Sequence, residues 1–188
     1  MKRHPDWGEP IFQVGAVAID LDVALIDENE TLDLATIRIT DEQLSKISGT
    51  SYKEFFQPVQ WPYENNLNSN DYITVVGFPG VHRYDSPGMS LFNITLATVP
   101  VMDSNDKTFY VEIKIGEALK LLGSENPEDL NTSLGGLSGG GVFISSEKSL
   151  DLVGIIKEDG GGFFKGIQAT YSSLINKDGT INDKYDLL

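Results

Sequence analysis

"TSLGGLSGGGVFISS", residues 132–146, places five glycines, one leucine and one serine in seven consecutive positions and then enters an apolar run. The fold turns on whether Ser138 lies in a slack linker or on a turn docked against a strand. Slack Gly/Ser linkers carry polar, flexible sequence on both sides. Here Val142, Phe143 and Ile144 follow almost at once. A glycine loop that close to a core strand is positioned rather than free. The stretch therefore predicts a turn followed by a strand over 141–145.

Working outward, the chain reads as short strands separated by Gly, Pro, Asn and Asp. Downstream, "LDLVGIIKE" (150–158) and "FFKGIQAT" (163–170) follow at hairpin spacing. Upstream, "DYITVVGFP" (71–79) reads as a buried strand stopped by Pro79 and Gly80, and "MSLFNITLATVPVM" (89–102) and "KTFYVEIKI" (107–115) read as further strands. "FQVGAVAIDLDVALID" (12–27) predicts one long or two short strands, and "LDLATIRIT" (32–40) has period-two patterning. Helical signals are few: "DEQLSKI" (41–47), "GEALKLLG" (116–123) and a short closing turn at "YSSLIN" (171–176), with "SENPEDLNTS" (124–133) as a loop. There is no internal repeat and no linker that divides domains. Many short strands with regular turns predict an all-β, antiparallel barrel or sandwich.

Composition narrows the partners. At 188 residues the chain suits one domain or two small lobes. With 28 acidic against 14 basic residues the formal charge is −14. Such a field repels phosphate backbones and anionic lipid, so neither nucleic acid nor a membrane surface is expected as a partner. No cysteine is present, which excludes disulfide and thiolate chemistry and favours a reducing compartment such as the cytoplasm. No apolar run is long enough to span a bilayer, and "MKRHPDWGEP" has no apolar core of the kind a signal peptide needs. The sequence holds no zinc ligand set and no dinucleotide fingerprint, so no cofactor and no metal is expected. "NKDGTINDKYD" (176–186) lacks the ligand spacing of a calcium loop and reads as a tight Asp-Gly turn. "NIT" (93–95) and "NTS" (131–133) match glycosylation acceptors, a pattern short enough to occur by chance.

Ser138 carries the chemistry. Gly136-Leu137-Ser138-Gly139-Gly140 satisfies the G-x-S-x-G pattern of the α/β-hydrolase elbow. That motif needs a helix after the serine and a histidine further along. Here glycines and a strand follow, and no histidine lies beyond residue 82. "GLSGGGVF" instead resembles the nucleophile turn of chymotrypsin-like serine peptidases. "LDLATIRI" resembles the strand start that carries that family's acid, and "VVGFPG" (75–80) the strand that opens its second barrel. "LDLVGIIKE" resembles the strand after the serine, whose far end pairs with substrate backbone. The four motifs occur in the family's order, and together they resemble a bacterial trypsin-like peptidase domain over residues 30–170.

The resemblance implies an antiparallel two-barrel chymotrypsin-like fold cleaving a peptide or protein substrate. Residues 1–70 would be an incomplete first barrel with the acid strand and connecting segment, and 71–188 the second. It implies Ser138 as nucleophile and Asp33, 105 positions earlier, as acid. The amides of Gly136 and Ser138 would form the oxyanion hole, where a glycine permits the curl that converges two N–H groups. Lys157, Glu158 and Asp159 would lie along the substrate cleft. Thr132 would floor the primary pocket, and its neutral side chain offers no partner to Lys or Arg. Asp33 also reads independently as a turn residue at a strand start.

The family's histidine is not matched. It should precede the acid at the end of a strand, oriented by the aspartate. His4 precedes Asp33 by 29 residues but sits in polar, Pro-flanked sequence, and His82 lies on the wrong side of the aspartate. The resemblance therefore implies that the histidine-bearing hairpin lies outside this sequence. The alternative is a degenerate member that binds peptide without cutting it.

Overall fold

In the computed structural model, the described residues are 11–14, 17–50, 55–58, 61–63, 67–77, 83–86, 89–92, 95–112, 137–146, 149–159 and 166–182. The predicted strand region 12–27 resolves into three strands and one helical turn. β1 (Ile11–Val14) pairs with β2 (Val17–Asp20), and α1 (Leu21–Ala24) leads into β3 (Leu25–Asn29). The Asp20 carboxylate caps α1 by accepting from the Asp22 amide at 2.9 Å. β3 forms a hairpin with β4 (Leu34–Ile37).

The expected helix at "DEQLSKI" is α2 (Asp41–Thr50). Its start is set by a reciprocal cap: the Thr40 amide donates to Gln43 Oε1 at 2.9 Å, and the Gln43 amide donates to Thr40 Oγ1 at 3.2 Å. α2 buries Ile47 against Val17 and Ile19, forming a small apolar cluster of its own.

Six later strands close into one antiparallel barrel. They are β5 (Tyr72–Gly77), β8 (Thr95–Ser104), β9 (Thr108–Glu112), β10 (Gly141–Ser145), β11 (Leu150–Asp159) and β12 (Gly166–Tyr171). A separate hairpin of β6 (Arg83–Ser86) and β7 (Met89–Phe92) lies between β5 and β8 in chain order, so the predicted strand 89–102 is two strands. Around the ring the order is β5–β8–β9–β12–β11–β10, and β10 returns to pair with β5. Three successive strands run as neighbours, then the chain re-enters on the other side of β5 and comes round through β11 to meet β9. Closure leaves the ring without an unpaired strand.

Period-two patterning fills the barrel. Ile73 and Val75 of β5 are buried while Tyr72 between turn and strand faces out. Phe109 and Val111 of β9 meet Ala169 and Ile167 across the ladder with β12. Each Val, Ile or Phe side chain among them contributes about 1.5–3 kcal/mol when fully buried. Gly154 leaves room for the Phe109 ring, from which a β-carbon at 154 would stand 2.7 Å. A glycine inside this core strand is therefore a packing requirement. The expected closing turn at "YSSLIN" is a 3-10 turn over Ser172–Leu174.

The β3–β4 hairpin belongs to the barrel's core, because Leu32 and Leu34 join the same buried cluster as Val153 and Ile167. The chain beyond β12 straps it down. Ile181 donates its amide to Asp27 Oδ2 at 2.8 Å, and Thr36 Oγ1 donates to the Gly179 carbonyl at 2.5 Å. The Asp-Gly turn expected here is present, with Gly179 at φ 89° and its amide donating to the Asn176 carbonyl. No helix among the described residues is long and apolar enough to cross a membrane.

Candidate functional site

Leu137–Gly140 forms a tight turn in which the Gly140 amide donates to the Leu137 carbonyl at 2.8 Å. Gly139, at the third position, has φ 82°, as a type II turn requires. Leu137 is buried, whereas Ser138 at the second position is exposed. The side chain of Leu137 rests over Gly77 at the end of β5, where a β-carbon would come within 2.6 Å of it. Gly77 of "VVGFPG" and Leu137 of "GLSGGGVF" thus pack against each other.

The turn is pinned to β11 by hydrogen bonds. The Gly139 amide donates to the Ile156 carbonyl, and the Ile156 amide donates to the Gly140 carbonyl, both at 2.8 Å. Ser138 Oγ donates to the Lys157 carbonyl at 2.9 Å. Among the described residues no acceptor takes the Ser138 amide.

Lys157 is the extra residue of a β-bulge. Ile156 pairs with Ala169 and Glu158 with Gln168, so one β12 step faces two β11 steps. A bulge bends its strand and re-aims the side chain at the irregularity. Here Lys157 Nζ reaches the Thr31 carbonyl at 3.0 Å, in the turn between β3 and β4. Beyond the bulge, Glu158 and Asp159 pair with Gln168 and Ile167 of β12. On their other side β10 ends its ladder at the Gly141–Ile155 pair. The backbone of 158–159 therefore overhangs β10 next to Ser138.

Asp33 sits in the β3–β4 turn, exposed, with φ 53°. This left-handed region is one that Asp and Asn enter more readily than other non-glycine residues. The residues on both sides, Leu32 and Leu34, are buried. Asn29 Oδ1 accepts from the Leu32 amide at 2.9 Å, and the Leu32 carbonyl accepts from Thr170 Oγ1 at 2.8 Å. Among the described residues the Asp33 carboxylate receives no hydrogen bond.

Ser138 and the turn bearing Asp33 are thus each joined to Lys157. Gly136, Thr132, His4 and His82 lie outside the described residues, as do the asparagines of both sequons and the predicted helical turn at 116–123. The bulge at Lys157, the Thr31 carbonyl and Thr170 are parts of this arrangement that strand patterning does not announce. The one sequence sign is a lysine directly after Ile155 and Ile156, where alternation breaks down.

Fold and site together define a closed antiparallel β-barrel that presents one exposed serine on a glycine turn beside an overhanging strand. No family model matches the chain, and no curated protein does.

Proposed function

We propose that the chain is a peptide-bond hydrolase of the chymotrypsin-like type, acting through an acyl-enzyme at Ser138. The observation that carries this reading is the seating of Ser138, an exposed hydroxyl on a turn held to β11 next to the backbone of Glu158 and Asp159, which among the described residues is paired on its β12 side alone. A peptide added along that open side would be held by main-chain hydrogen bonds, with its scissile carbonyl brought over the serine. Ser138 Oγ would add to the carbonyl carbon while its proton passes to a base. The C–N bond then breaks as the base returns that proton to the departing amine, and water frees the acid by the same route.

The Ser138 amide suits one oxyanion donor, with Gly136 as the second by resemblance. Asp33 is the acid that would orient the base. On this reading the six-strand ring is the second barrel of a two-barrel fold, and β1 to β4 are part of the first. By resemblance the base is an imidazole, and the described residues contain no histidine.

A second reading has its own support. Ser138 Oγ donates its hydrogen bond to a main-chain carbonyl, which cannot act as a general base at neutral pH. A barrel with that serine and that open strand can bind extended peptide without cutting it. Treatment with a fluorophosphonate, read by intact mass and by the labelled peptide, separates the two. The hydrolase reading expects one adduct on Ser138 that is lost in Ser138→Ala. Peptide binding without any adduct would establish the module instead, and absence of both would remove both readings.

A further inference from the structure

Thr31 and Lys157 lie 126 positions apart, yet one hydrogen bond joins them, and it connects the two parts of the site. We infer that Lys157 is a positioning residue for Ser138 chemistry, its ammonium fixing the turn that carries Asp33 against the strand that seats the serine. This rests on reading Ser138 as the nucleophile and Asp33 as the acid.

The geometry gives Lys157 two polar ends with separate tasks. Its carbonyl receives Ser138 Oγ at 2.9 Å, and its Nζ donates to the Thr31 carbonyl at 3.0 Å. Both depend on the bulge, because Lys157 is the residue without a cross-strand partner on β12. The following carbonyl, that of Leu32, is held by Thr170 of the neighbouring strand β12 at 2.8 Å. Two successive carbonyls of one turn are therefore gripped by donors from two adjacent barrel strands, and Asp33 is the next residue.

In a chain with 28 acidic residues, this ammonium is directed at main chain, and no carboxylate among the described residues takes it. A carboxylate would hold the charge wherever its own side chain wandered. A backbone carbonyl instead fixes where the turn itself lies. Releasing it lets Asp33 drift relative to Ser138, and misplacement by about 1 Å can cost on the order of a hundredfold in such sites.

The test uses the whole protein with Lys157→Met, which keeps the apolar stem but donates nothing, and Lys157→Arg, which keeps the donor. For fluorophosphonate labelling, Lys157→Met should lower the maximal inactivation rate by about tenfold with little change in the probe's half-saturating concentration, and Lys157→Arg should recover most of the loss. Amide exchange at Leu32, Asp33 and Leu34 should quicken in the Met variant and not in the Arg variant. Labelling of the Met variant at the wild-type rate, or a loss that Arg fails to recover, would overturn the assignment. If the wild-type protein takes no label, the nucleophile reading fails. The exchange measurement then decides by itself, and unchanged exchange in Lys157→Met would end the role proposed for the lysine.

Discussion

Two neighbouring glycines in the serine turn are required for different reasons. Gly139 has φ 82° with nothing within 4 Å of where a β-carbon would stand, so its demand is conformational. Gly140 has no such dihedral, but a β-carbon there would press on the Val76 carbonyl and lie 2.8 Å from that of Leu137. Those are backbone atoms of the core and of the turn itself, so neither can swing aside. Gly139→Ala should cost about 1–2 kcal/mol, the penalty of a left-handed residue. Gly140→Ala should cost about 2–4 kcal/mol through overpacking and displacement of the turn. Urea unfolding of the two variants checks the order, and equal losses would mean that β5 gives way at Val76.

Among the elements, the β3–β4 hairpin shows how far local reading carries. Its second strand, expected over 32–40 and found over Leu34–Ile37, was legible in part, like β5, β10 and β11, because alternating burial imposes a period on the residues themselves. Strand β10 occupies the predicted span, 141–145, and β11 covers 150–159 against an expected 150–158. The register shift at Lys157 was not legible, because a bulge depends on the partner strand and leaves almost no mark on its own sequence. The clamp on the hairpin turn was hidden for the same reason, since Thr170 and Leu32 are 138 positions apart. Ser138 could be singled out from its glycines, and Asp33 only as one of two readings. The seating of the hairpin also makes a prediction. Thr170→Val keeps the buried shape but leaves the Leu32 carbonyl without its donor, at a cost of about 1–3 kcal/mol. Native-state amide exchange should rise first over 30–34 while the barrel strands stay protected. Uniform acceleration across the barrel would show that the hairpin is not a separable unit.

For the molecule as a whole, alkaline stability has an identifiable contributor. Burial pushes the Tyr171 phenol above its ordinary value of 10.0, and Asp71 raises it further. The folded chain therefore holds this proton more tightly than the unfolded one. The stability linked to it is complete below about pH 10 and is lost as pH rises through the higher folded value. Tyr171→Phe should flatten that alkaline decline in thermal unfolding curves between pH 9 and about pH 12. A decline of unchanged slope would place the responsible group elsewhere.

The pinning of the serine turn also bears on how the protein comes into being. The hydrogen bonds that seat Leu137–Gly140 from outside come from Ile156 and Lys157, and Ser138 waits on a carbonyl made 19 positions later. A nascent chain emerging in order exposes the serine and its glycines before the strand that gives them shape. Until β11 arrives, the turn lacks its hydrogen bonds to Ile156, and Ser138 lacks the Lys157 carbonyl that accepts from it. Any reactivity that this setting confers therefore begins with closure of the barrel and not with synthesis of the serine.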